Sequence, residues 1–365
     1  MSNSLSVPFN GGEQVQSASF QAAVRTFFFL PSSAHTLAVI RFFTGAMIGY
    51  IHLVWMLNLD SFMGPHALVD NASWQSLHRG AVPDTKWTYL AYTESMPFIW
   101  AHEIIACLSG ILLSAGFITR AFGVLAWFTT LMTAHRMTGM LFGLDQIALM
   151  VSMYLCFGRS GSEWSVDRWL LHRVPGVVWN RSWLGLLTGL PKTDLPKTGR
   201  DAVAFRTSVP DCWSNTFATR LIQLHLCVIY LFGGLGKLRG EMWWDGSAMW
   251  YSIASYEYQS LDMTWTGHFA ILSSIVTHLT LFWEVGYCAL IWPRWTRPWT
   301  LAVALLVHAG IGLFLGMVTF GVMMIVANVA FIPAYQMRRM FRLSSNHLVD
   351  SLRDSESASQ RDAST

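Results

Sequence analysis

Charge is what this chain has least of: 12% of its 365 residues are Asp, Glu, Lys or Arg, against 53% hydrophobic residues and 18 tryptophans. So little polar surface cannot coat a water-soluble globule, and the composition points to lipid as the solvent. Cysteine is sparse as well. The five, Cys107, Cys156, Cys212, Cys227 and Cys288, include no Cys-x-x-Cys pair, and four fall in apolar runs. That argues against a disulfide framework or a structural zinc site and reads each as a small buried hydrophobe. No two histidines stand at the i, i+4 spacing of a metal-binding helix, so no metal is expected. Gly236-Lys237 lacks the upstream glycine spacing and the following Ser or Thr of a phosphate-binding loop, which argues against ATP. No basic face with interleaved aromatics suggests nucleic acid. Phe27 to Leu30 is too brief, and too soon followed by Pro31-Ser32-Ser33, to be the core of a signal peptide.

What is present is a series of long apolar stretches. They run roughly over 36–57, 99–117, 121–134, 142–157, 216–236, 269–292, 299–314 and 317–332, and a helix needs about 20 such residues to cross a bilayer. The third and fourth are short and the last two nearly touch. The expectation is therefore an all-α, polytopic integral membrane bundle of about eight transmembrane helices, within a range of seven to nine. Residues 1–35 read as a polar segment, unstructured over the first 20; 36–333 read as the membrane domain; and 334–365 read as a basic, then disordered, cytoplasmic tail.

Basic residues set the orientation, because cationic loops stay on the cytoplasmic side. With eight spans and a cytoplasmic N-terminus, seventeen of the 24 Lys and Arg residues fall on one side. The other side receives Arg79, Lys86, Arg136, Lys237 and Arg239. Both termini are thus expected in the cytoplasm, with Lys237 on the opposite face. Two loops carry more than connection. Trp169 to Leu190 mixes Trp, Leu and Val with Arg173 and Arg181, as helices lying in the headgroup region do. Glu241 to Tyr251 gathers aromatics and acids beyond Lys237, either as a lid over a site or as an ordinary aromatic belt.

Ionisable residues inside spans are costly and need a partner or a use. Here they are Arg41, His52, His102, Glu103, Asp145, Arg220, His225, His278, Glu284 and His308. Arg41, Glu103, Asp145 and Arg220 read as interhelical pairs or cap partners, and the histidines as hydrogen-bonded packing residues. His225 stands twelve residues before Lys237, about 18 Å along one helix, too far to share a proton. Lys237 follows Gly233-Gly234-Leu235-Gly236 and has two readings. It snorkels toward headgroups as span-terminal lysines do, or, partly buried under the aromatic segment, it serves as a neutral amine base. The glycines suit close helix packing.

Tyr230, Gly233, Gly234, Lys237, Leu238, Gly240, Trp243, Asp245, Gly246 and Ala248, with Phe142-Gly143-x-Asp145-Gln146 and Trp164-Ser165-Val166-Asp167, resemble the HTTM domain. That is the membrane domain of vitamin K-dependent γ-glutamyl carboxylases and of many bacterial proteins. The resemblance spans residues 36–333 and implies a short, bacterial-type member in the plasma membrane, without the large lumenal domain that helps the carboxylases hold a protein substrate. It implies a lyase or oxygenase using reduced vitamin K or menaquinol and carbon dioxide, with Lys237 as base on the non-cytoplasmic side. A histidine assists that chemistry in the family; the nearest counterpart is His135, a few residues out of register with Phe142-Gly143. A non-catalytic protein that binds or transports lipid, or anchors a protein partner, is the alternative.

Overall fold

The computed structural model describes residues 11–79, 86–173, 188 and 211–340. Among them the regular structure is helical, with one antiparallel bridge between Ser32 and Cys212. In chain order the helices are α1 Gly11–Phe29, α2 His35–Met56, α3 Leu59–Met63, α4 Asn71–Leu77, α5 Met96–Ala115, α6 Thr119–Arg136 and α7 Gly143–Leu155. They continue as α8 Val166–Arg173, α9 Trp213–Lys237, α10 Glu241–Trp244, α11 Ala248–Ile253, α12 Ala270–Leu290, α13 Arg297–Phe314, α14 Val318–Asn328 and α15 Ala334–Met340.

Five of these, α2, α5, α9, α12 and α13, are long and apolar enough to cross a membrane, and a sixth is counted if the bent pair Val318–Phe331 and Ala334–Met340 is one span. A helix occupies each of the eight expected stretches, but three fall short of the criterion for physical reasons. Helix α6 has 18 residues yet carries Arg120, Arg136 and four threonines, which dilute its apolarity. Helix α7 has 13 residues, about 20 Å at 1.5 Å per residue against a hydrocarbon core of roughly 30 Å. The last run breaks by 112° at Pro333, which has no N–H to continue a helix and keeps Ile332 extended.

Close helix contacts are built on glycine. A Cβ on Gly45 would lie 2.4 Å from Ser114 N and 2.7 Å from Gly110 O, and one on Gly110 would lie 2.6 Å from Gly49 N, so α2 and α5 touch backbone to backbone. Gly234 gives α9 and α12 the same approach: its Cβ would meet Val285 Cγ2 at 2.8 Å and Val285 N at 3.0 Å. Gly321 does so for α13 and α14, where a Cβ would fall 2.4 Å from His308 O.

The bundle has two distinct ends. Arg159 N donates to Asn215 Oδ1 at 2.9 Å, Ser32 pairs with Cys212, and Thr36 Oγ1 donates to Ile332 O at 3.2 Å. The starts of α2 and α9 and the ends of α7 and α14 therefore share one end. The opposite end, here the Lys237 end, holds the C-termini of α2, α6 and α9 and the N-termini of α7 and α14. A cavity of about 680 Å³ lies there between α2, α7 and α14, lined by Tyr50, Trp55, Phe142, Asp145, Tyr258 and Phe320 among others.

The N-terminal segment departs from expectation: α1 is helical from Gly11, and Phe27–Phe29 at its end pack on α9. Phe29 stacks on Phe217 at 5.8 Å, and Phe27 meets the Arg220 guanidinium at 4.2 Å. The phenylalanines of its last turn, Phe27–Phe29, explain the difference, because they end the polar run with a surface that docks on α9. The expected interfacial helices over 169–190 are described only through Arg173 and at residue 188, and residues 341–365 of the tail lie outside the described residues.

Candidate functional site at the Lys237 end

Lys237 is the last residue of α9, and the glycine contact one turn earlier brings α12 within reach. Its Nζ donates to Glu284 Oε2 at 2.5 Å, with 30% of the lysine side chain and 11% of the glutamate side chain exposed. The Trp243 ring closes over the ammonium, 5.3 Å from centroid to Nζ, inside the range of a cation–π contact. Of the three glycines before Lys237 only Gly234 is pressed against a neighbour. A Cβ on Gly233 would meet nothing nearer than Glu284 Oε2 at 3.8 Å, and one on Gly236 nothing within 4 Å, so an open helix face lies beside the ion pair.

The segment after Lys237 is two short helices laid on α12. Asp245 accepts from Ser247 N at 2.8 Å and Ser247 Oγ at 2.6 Å, and these bonds hold its carboxyl below the usual carboxylate range. Gly246 follows at φ +83°, with Ser274 so close that a Cβ would fall 2.2 Å from its hydroxyl. A side chain there is excluded both by space and by backbone conformation. Thr277 Oγ1 donates to Gly246 O at 3.0 Å and accepts from Met249 N at 3.0 Å, fixing the segment on α12. The Trp-x-Asp-Gly run is thus the turn that places Trp243 over Lys237.

Deeper in the bundle a buried polar group continues from the ion pair. Tyr230, seven residues before Lys237, hydrogen-bonds His308 Nε2 at 2.7 Å and accepts from Asn328 Nδ2 at 2.9 Å. Tyr287, three residues after Glu284, donates to Asn328 Oδ1 at 2.6 Å. The two tyrosine rings lie 4.0 Å apart. His308 is 4% exposed, and its Nδ1 has no hydrogen-bond partner among the described residues. Phe320, a wall of the cavity, lies edge-on to that imidazole at 6.0 Å.

His135 is placed elsewhere. In the last turn of α6, its Nδ1 lies 2.8 Å from Trp87 O and its carbonyl accepts from Trp74 Nε1 at 3.1 Å, so it ties down the loop before α5. It shares no hydrogen-bond partner with Lys237 among the described residues. His308, by its bond to Tyr230, belongs to the buried polar group beside the ion pair.

The remaining ionisable candidates in the apolar stretches resolve individually. Arg41 donates to Trp164 O at 2.6 Å, and Arg220 to Phe27 O at 3.0 Å and Gln223 Oε1 at 2.8 Å. Asp145 accepts from Phe142 N at 2.8 Å and caps its own helix. His225 bonds Tyr154 Oη at 2.7 Å, and His278 lies 2.8 Å from Ser274 O. Asp167 accepts from Ile118 N at 2.7 Å, Thr119 N at 2.9 Å and Thr119 Oγ1 at 2.7 Å, making Trp164–Asp167 the latch on the start of α6. Glu103 belongs to a second buried cluster with His52, 2.6 Å between Oε2 and Nδ1. No group of three or more His, Cys, Asp or Glu side chains able to hold a metal ion occurs among the described residues. All five cysteines are free.

The sequence inventory contains Lys237, Glu284 and His308 but does not join them, and it assigns no role to Tyr287 or Asn328. A lysine ending one apolar helix and a glutamate midway along another are the signal for the pair. The chain matches no protein-family model, no curated protein and no solved structure.

Proposed function

We propose that the protein is a multi-pass membrane enzyme that abstracts a proton at the Lys237 end, in the manner of the HTTM-type carboxylase-like proteins it resembles. In this reading the helices cross the bilayer eight times, with the Ser32–Cys212 end in the cytoplasm and the Lys237 end on the far side of a bacterial plasma membrane. The distribution of Lys and Arg supports that orientation. One observation carries the enzymatic reading: the 2.5 Å contact between Lys237 Nζ and Glu284 Oε2. A lysine acts as base only after giving up its own proton, and a carboxylate held against it under Trp243 is a partner able to take that proton.

The cofactor implied by the resemblance is a quinol. The residues present fit one, because the face left bare by Gly233 and Gly236 offers a flat seat beside the pair and Trp243 an aromatic wall. When bound and oxygenated, the quinol supplies the base strong enough to remove a carbon-bound proton before carbon dioxide adds. Glu284 positions Lys237 and stands where it can take its proton, Gly234 sets their separation, and the Trp243 ring covers one side of the ammonium. His135 has no part in this arrangement.

A second reading rests on the 680 Å³ cavity, whose volume lies within the roughly 300–1,000 Å³ of small-molecule sites and whose described lining does not include Lys237. It is a site for a membrane lipid in a non-catalytic carrier or a protein-partner anchor. The test is oxygen-dependent conversion of reduced vitamin K or menaquinol to epoxide by the protein reconstituted in lipid. Epoxide supports the enzyme; intact quinol together with co-purified lipid in the cavity supports the carrier.

A further inference from the structure

A second buried polar cluster, built on α2, α5 and α6, is independent of the Lys237 reading. His52 and Glu103 are fully buried and His102 is 4% exposed. The glycine contact of α2 with α5 holds His52 Nδ1 against Glu103 Oε2 at 2.6 Å. Glu103 Oε1 accepts from Thr133 Oγ1 at 3.0 Å, Thr133 Oγ1 lies 2.9 Å from His102 Nε2, and His102 Nδ1 lies 2.6 Å from Tyr89 Oη. Tyr89 is half-buried, in the short turn before α5 at the Lys237 end. On the other side of the pair, His52 Nε2 lies 3.1 Å from Thr130 Oγ1, which donates to Ala126 O at 2.7 Å.

Each hydroxyl has one proton to give, and that fixes every direction in the chain. Thr133 donates to Glu103 Oε1. Thr133 Oγ1 then accepts from His102 Nε2–H, leaving His102 Nδ1 to accept from Tyr89 Oη–H. Burial and the Glu103 charge push the Tyr89 phenol up, so it keeps the proton it donates. Because Thr130 spends its proton on Ala126 O, His52 donates Nε2–H to Thr130, and one further proton is held in the Nδ1–Oε2 contact between His52 and Glu103. The alternative, a neutral His52 beside an ionised Glu103, would leave an uncompensated charge at zero exposure, which is far costlier than a neutral pair. The other titratable groups around the pair are His102 and Cys107 on α5, Asp145 on α7 and Tyr89.

We propose that His52 and Glu103 form a one-proton site filled from the Lys237 end through Tyr89, His102 and Thr133. When the pair loses its proton, Tyr89 Oη takes one from water as it passes its own to His102 Nδ1. His102 Nε2 passes one to Thr133 Oγ1, Thr133 passes one to Glu103 Oε1, and rotation of the carboxyl group brings that proton into the contact with His52 Nδ1. Every O–H or N–H bond broken is matched by one formed, and one proton enters with no charge left on the relay. Ile51, the neighbour of His52, and Asp145 both line the 680 Å³ cavity, so the stored proton sits behind its wall.

The test is ¹⁵N NMR of histidine-labelled full-length protein in lipid nanodiscs at neutral pH, with deuterium exchange at the imidazoles. The expected spectrum has a His52 Nδ1 signal shifted by a proton held between it and Glu103, lost in Glu103→Gln, and Tyr89→Phe keeps that signal while slowing its exchange at least about tenfold, the scale of one lost hydrogen bond. A His52 Nδ1 without that proton in the wild type overturns the proton site. Unchanged exchange in Tyr89→Phe, a variant at a half-buried position that leaves the fold intact, overturns the route.

Discussion

Lys237 and Glu284 meet at 2.5 Å because the helices that carry them touch at Gly234, where a single added methyl group would strike Val285. The ion pair is thus a consequence of backbone packing, and the two are separable by mutation.

Gly234→Val pushes α12 away from α9. A loss of about 1–3 kcal/mol is expected for overpacking, together with loss of the pair. Gly236→Ala meets nothing within 4 Å and is expected to stabilise by up to about 1 kcal/mol through helix propensity. Thermal unfolding in detergent compares the two, and equal destabilisation would contradict the role given to Gly234.

Lys237→Ala leaves Glu284 without its partner. A loss of about 2 kcal/mol is expected, below that of a fully buried pair because the lysine side chain keeps 30% exposure. Lys237→Met combined with Glu284→Leu removes both charges and is expected to recover most of the stability. A double-mutant cycle reads the coupling directly.

Asp167 carries a pH dependence of definite sign. Burial pushes its carboxyl up, opposed by hydrogen bonds from Thr119 and Ile118. A raised folded value means that its contribution is full below the ordinary value of 3.8 and falls as pH rises through the raised one. Asp167→Asn is expected to flatten stability over that window, and unfolding midpoints of both proteins across it provide the check.

Asp245→Ala removes the bonds that shape the turn before Gly246. The expected effect on global stability is small, whereas Trp243 loses its place over Lys237. Tryptophan emission of Asp245→Ala against Trp243→Phe tests this; the variants should show the same shift.

Much of this molecule is legible in its residues, and the remainder has identifiable causes. Apolar runs locate all eight stretches that become helices. The segment from Lys237 to Tyr251 stands out in the sequence for its clustered aromatics and acids, and in the structure it lies on α12 with Trp243 over Lys237. Glu284 and Glu103 are recognisable as costly, but their partners lie 47 and 51 residues away in sequence, and no spacing rule spans separate helices. The contact that makes the second cluster does have a local signature, the Gly45-x-x-x-Gly49 pattern, which hydropathy does not register. Proximity in sequence to Phe142-Gly143 does not place His135, because the turn over residues 137–141 separates α6 from α7 and leaves it against Trp87 and Trp74. Helix α1 is hidden by its polar start, since only its last turn carries the phenylalanines that dock it.

The most direct test of the central claim is epoxide formation from reduced vitamin K or menaquinol by wild type and Lys237→Arg in lipid. Arginine keeps the charge and can pair with Glu284, yet it does not release a proton at neutral pH. Epoxide from the wild type, and none from a Lys237→Arg protein that unfolds at the wild-type temperature, is the predicted result. Equal epoxide from both would contradict Lys237 as the base.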